Sequence, residues 1–135
     1  MQIAWLATLG RIVMGLYFLA AGFNKIMNPG AAEPIEIMTG AGIPWPDLMF
    51  TLAAVCETTA GICLVIGLHV RLVSFLLALF VVFVSTIFHA FWTLEGKDAQ
   101  IQMMMFLKNI GTASGLLAFT GLGGGPLSID RRFGA

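Results

Sequence analysis

Four apolar stretches, each long enough to cross a bilayer, make up most of this chain and leave few folds open to it. A span needs about 20 mostly apolar residues to cover a hydrocarbon core of about 30 Å. Residues 3–26, 46–67, 71–92 and 101–122 each satisfy that length with few charges. Backbone groups in lipid have no water to bond, so stretches of this kind fold as helices. The expectation is an all-α fold, an integral membrane four-helix bundle in one domain of 135 residues. Composition agrees: 59% of residues are hydrophobic and 10% charged, against roughly 25% charged in soluble domains. A soluble fold of this size has too little interior to hide so much apolar surface.

Seven basic and seven acidic side chains balance to a formal net charge of zero. With no basic stripe to neutralise phosphates, a nucleic-acid partner is not expected. The two cysteines, Cys56 and Cys63, fall about 10 Å apart along a helix. That is too far for a disulfide, and both read as packing residues. No Lys or Arg precedes the first apolar stretch, which reads as a retained span rather than a cleaved signal.

The connections differ in character. Residues 28–45 form the longest, rich in Pro and Gly, and Glu33-Pro34 within it is placed to open a short helix. Ile35, Ile37 and Met38 of that helix are expected to rest on the membrane surface. Leu68-His69-Val70 is a tight turn, 93–100 is polar, and Gly123-Gly124-Gly125-Pro126 stops the last helix. Four spans put both termini on one side. Arg71, Arg131 and Arg132 lie on that side with Arg11 reaching toward it, while Lys25 and Lys97 lie opposite with five acids. The positive-inside rule then places both termini in the cytoplasm and the protein in the inner (plasma) membrane. Trp5, Trp45 and Trp92 fall where aromatic belts belong.

Ionisable groups inside spans are the main functional signal, because each costs at least about 2.5–3.5 kcal/mol at a helix centre. Glu57 lies near the middle of the second span, between Ala53 and Gly61 one turn away on either side. Small residues there let a neighbouring helix approach closely. Lys108 and Asn109 lie in the fourth span. Gly111 and Gly115, a G-x-x-x-G close to the Lys108 face, suggest that this lysine points inward. His89 continues a stripe of Ser74, Ala78 and Ser85, Lys25 closes the first span beside Asn24, and Arg11 lies in its inner half with Gly15 one turn above. At 1.5 Å of rise per residue, Glu57 reaches Lys108 or Arg11 but not Lys25 directly. The expected arrangement is a polar ladder opening outward. Each member also has a plainer reading: a register-setting ion pair for Glu57, an interfacial hydrogen bond for His89, and snorkelling for Lys25 and Arg11. The two histidines fall on opposite sides of the membrane, which argues against a shared metal site. Met103-Met104-Met105 reads as gap-filling.

Gly10-Arg11, Gly15, Phe18, Gly22 and Lys25 in the first span, Gly42-Ile43-Pro44 before the second, Glu57 and Gly61, Gly67-Leu68 with Arg71, Phe88-His89 with Trp92, and Lys108-Asn109 occur in this order. Together they resemble the DoxX family of small four-helix membrane proteins across nearly the whole chain. The resemblance implies the fold and the membrane location. It also implies a link to membrane oxidoreductase complexes that handle quinones or thiols. The reading that follows is an accessory subunit of such a complex, with a quinone or small thiol-related ligand at the polar cluster of Glu57, Lys108, Asn109, His89, Arg11 and Lys25. The alternative is a structural or assembly subunit of a larger membrane complex, or a self-associating one, without chemistry of its own. A transporter fits less well, since no inverted repeat or broken span is visible.

Overall fold

The computed structural model describes residues 3–133. Those residues form helices joined by turns: α1 (Ile3–Met27), α2 (Ala32–Gly40), α3 (Pro46–Ile66), α4 (Val70–Phe88), a single 3-10 turn (Phe91–Thr93), α5 (Gly96–Leu122) and the short α6 (Ile129–Arg132). Three segments, Ala4–Met27, Pro46–Ile66 and Val70–Thr93, are long and apolar enough to cross a membrane. The fourth long helix, α5, has 27 residues. Lys97, Asp98, Gln100, Gln102, Lys108 and Asn109 dilute its apolar character.

The ends differ from expectation in ways that the backbone explains. The third span stops as a helix at Phe88 rather than at Trp92, and His89 caps it. Phe91, Trp92 and Phe106 then stack edge to face at 5.2–5.9 Å and fold the chain back toward α5. Gly67 closes α3 in the left-handed region at φ 77°. A Cβ there would lie 2.6 Å from Ser128 and 2.8 Å from the Arg11 side chain, so the tail and α1 both require glycine at this turn. The helix expected at Glu33-Pro34 forms as α2, beginning two residues before Pro34. It packs against α3 and α4 and buries Met38 in the protein rather than resting it on the membrane.

The helices pair as two antiparallel hairpins, α1 with α3 and α4 with α5, joined along α3 and α4. Each buries one narrow stripe with the spacing of a helix seam. In α1 the stripe is Thr8, Arg11, Gly15, Phe18 and Gly22. In α3 it is Phe50, Ala54, Glu57, Gly61 and Leu64, and in α4 it is Val70, Ser74, Leu77, Ala78, Val81 and Ser85. Phe18, Leu64, Val70, Leu77, Ala78, Val81, Ala113 and Leu116 form one core. The outward faces keep large apolar side chains such as Leu6, Leu16, Leu76, Phe83 and Leu117. Between helices in lipid there is little hydrophobic drive, so close van der Waals packing at small residues holds them together. At Gly61 a Cβ would stand 2.8 Å from the Gly15 carbonyl oxygen, and at Gly22 it would stand 2.6 Å from the Thr58 amide. Backbone touches backbone there, and this fixes the α1–α3 register.

Candidate functional site

The polar ladder read from the sequence separates into three places. Glu57 does not meet Lys108 or Arg11. It pairs with Lys25, Nζ to Oε2 at 2.6 Å. The reason lies in the register just described. With Gly15 against Gly61, and Gly22 against Ala54 and Thr58, Lys25 falls opposite the first half of α3, less than two turns from Glu57. Cα–Cβ bonds tilt toward a helix's N-terminus. In antiparallel helices the two side chains therefore lean toward each other: Lys25 back down α1, Glu57 back up α3. The Glu57 side chain is 8% exposed and the Lys25 side chain 29%, so the pair is more open along Lys25 than along Glu57.

Arg11 sits nearer the end at which α1 begins and α5 finishes, and is fully buried. Its guanidinium donates to the carbonyls of Gly124 (2.8 Å), Val65 (2.8 Å), Leu127 (3.0 Å) and Leu64. Two of these are carbonyls from the last turn of α3, which have no partner within their own helix. A cation suits that position because the helix dipole is negative there. The plainer reading of Arg11, snorkelling, does not hold, because its side chain is buried.

Two further charges cap helices at the same end. Asp130 accepts from the His69 and Val70 amides at 2.6 and 2.8 Å, at the positive N-terminus of α4. Arg71 donates through one terminal nitrogen to the carbonyls of Gly121 (2.7 Å) and Thr120 (3.3 Å), closing α5. Sequence reasoning assigned no role to Asp130. Its legible signal was Ser128, which caps α6 by accepting from the Arg131 amide at 3.3 Å and so aims Asp130 at α4.

His89 Nδ1 lies 2.8 Å from Gln102 Oε1, tying the end of α4 to α5, and makes no hydrogen bond to Glu57. Lys108 does not point inward. It is exposed, as is Gly111, where a Cβ would meet nothing within 4 Å. The side of α5 that faces the core carries Gln102, Phe106, Asn109, Ala113 and Leu116, and Lys108 lies about 120° round from it. Its flank turns toward α1: Gly115 approaches Met14 and Phe119 approaches Gly10. A groove of about 450 Å³ runs between these helices, lined by Leu6, Leu9, Val13, Tyr17 and Thr112 among others. Thr112 is one turn from Lys108. No group of three His, Cys, Asp or Glu side chains placed to hold a metal ion occurs among the described residues.

The DoxX family model matches residues 6–90, more than half of the chain and nearly all of the α1–α4 unit that holds the Lys25–Glu57 pair. The chain belongs to the DoxX family. It is 32% identical over 127 residues to inner membrane protein YphA of Escherichia coli, covering 94% of this chain and 89% of that one. It is 31% identical over 121 residues to inner membrane protein YqjF of the same organism, covering 90% and 86%. No solved structure matches. Family and fold agree on a membrane protein with transmembrane helices, and the relatives are inner membrane proteins.

Proposed function

We propose that this DoxX-family chain is an accessory subunit that docks into a larger inner-membrane complex through the α1–α5 side of its bundle. In this reading all four long helices span the bilayer, α5 included, and both termini face the cytoplasm. Lys108 carries the proposal. It stands near the middle of α5, exposed and turned away from the core. A lysine at that depth costs at least about 2.5–3.5 kcal/mol in lipid unless it finds a partner. Asp47 and Asp98 lie in the first turns of α3 and α5, and the acid nearer mid-helix, Glu57, is already taken by Lys25. The partner is therefore a helix of another protein that brings a carboxylate to the depth of Lys108 and lays its apolar face along the α1–α5 groove.

A second reading keeps a redox link within the same role. Lys25 is partly exposed beside Glu57, so its ammonium is placed to donate to a quinone carbonyl from the open side of the pair. Support for a quinone comes from the family resemblance, and the Lys25–Glu57 geometry is compatible with it. The purely structural reading differs in one respect: the pair then serves only to hold α1 against α3.

A photo-crosslinking side chain placed at Gly111, where the helix surface is open, tests the docking role in membranes. Capture of one discrete protein, lost when Lys108→Gln is added, is the expected result. Capture of lipid alone, with or without Lys108, would reject it.

A further inference from the structure

A pocket of about 430 Å³ opens between the start of α4, the end of α5 and the glycine tail; His69, Arg71, Leu72, Gly123, Asp130 and Arg131 are among the residues that line it. Its charges are not equivalent. The Asp130 carboxylate is engaged on both oxygens by the His69 and Val70 amides, and the positive end of the α4 dipole offsets its charge. Arg71 has one terminal nitrogen tied to the α5 carbonyls. Its Nε and second terminal nitrogen have no hydrogen-bond partner among the described residues. They face the Gly123 side of the pocket, 3.6 and 3.7 Å from where a Cβ on Gly123 would stand. That edge of the guanidinium is a two-pronged donor held in place by the cap on its other side, the geometry that matches phosphate oxygens. Arg131 adds a second, exposed guanidinium. Leu72 and Leu122, 57% and 77% exposed, stand beside the cations as an apolar rim.

We propose that this pocket binds the phosphate of an anionic phospholipid, with Arg71 as the fixed fork, Arg131 as the second cation and the leucine rim against the acyl chains. Basic pockets at the ends of transmembrane helices suit anionic headgroups in this way. The glycines keep the floor low: a Cβ on Gly124 would come within 2.8 Å of Val70 and Ser128, and one on Gly125 within 2.6 Å of the Thr8 hydroxyl. The site is independent of the docking role, since it lies at the bundle end and uses neither Lys108 nor the α1–α5 groove.

The test uses the full chain in neutral detergent, with phosphatidylglycerol and phosphatidylcholine offered in equal amounts and retained lipid read by native mass spectrometry. Arg71 also caps α5, so the decisive variant is Arg131→Gln, which leaves that cap intact. The wild type is expected to retain phosphatidylglycerol preferentially, and Arg131→Gln to cut the preference by roughly fivefold. Arg132→Gln removes the same charge outside the pocket and is expected to change nothing. Equal retention of the two lipids would overturn the proposal, as would an equal loss in Arg131→Gln and Arg132→Gln. A parallel arm offers inorganic phosphate. If it binds in an Arg131-dependent way while phosphatidylglycerol shows no advantage over phosphatidylcholine, the lipid is the wrong source and the assignment fails.

Discussion

Replacing Arg11 by Met isolates what the buried guanidinium does, because Met fills similar space without a donor. Four carbonyls lose their partner: those of Leu64, Val65, Gly124 and Leu127. Hydrogen bonds to a charged group contribute about 1.5–3 kcal/mol each, a gross of roughly 6–12 kcal/mol. Against that stands the desolvation of the cation, several kcal/mol, which the variant no longer bears. The expected net loss is about 3–5 kcal/mol, the scale seen when one partner of a buried charged network is removed. For a chain of this length each kcal/mol moves the unfolding midpoint by roughly 3–5 °C, so Arg11→Met should lower it by about 10–20 °C. Arg11→Lys keeps the charge but reaches fewer acceptors and should lose about half as much. The assay is thermal unfolding in one detergent, followed by size-exclusion fluorescence. A midpoint within about 2 °C of wild type for Arg11→Met would refute the claim that this residue fastens α1 to α3 and the tail.

Two further outcomes follow from the α1–α3 interface. Glu57→Gln and Lys25→Met, made singly, should each destabilise the protein by about 1–3 kcal/mol, less than a fully buried pair because Lys25 is partly exposed. The double variant should lose less than the sum, and a strictly additive cycle would show that the pair carries no coupling. Gly61→Ala sets a Cβ 2.8 Å from the Gly15 carbonyl oxygen and should cost about 1–3 kcal/mol by forcing the helices apart. Gly111→Ala meets nothing and should be neutral or stabilising by up to about 1 kcal/mol. Equal effects of the two alanine variants in the same unfolding assay would contradict the packing described here.

Much of the fold was legible in the sequence. The first two spans begin and end within one residue of α1 and α3, and the stripe of Ser74, Ala78 and Ser85 is buried as its spacing implies. Gly61 does admit a close neighbour. Two quantities were not legible. One is the axial offset between helices. Depths counted from span ends assume that every helix is centred on the bilayer, whereas backbone contacts at Gly15, Gly22 and Gly61 set the offset, and they bring Lys25 to Glu57. The other is the rotation of α5. The G-x-x-x-G pattern pointed to Gly111 and Gly115, but Ala113 and Leu116 face the core, only Gly115 approaches a neighbour, and Lys108 is exposed. The roles of Arg11 and Asp130 depend on where the tail folds back. No local pattern before Ser128 encodes that.

Arg11 and Glu57 are satisfied within the chain, and the proposed docking role leaves Lys108 to be satisfied by another protein. Gentle extraction from native membranes followed by native mass measurement tests it directly. The wild-type chain should emerge with a second, different protein at fixed stoichiometry, and Lys108→Gln should emerge alone at the mass of the single chain with its thermal midpoint unchanged. If wild type and Lys108→Gln both emerge alone, or both keep the same partner, Lys108 is not the contact and the docking account is wrong.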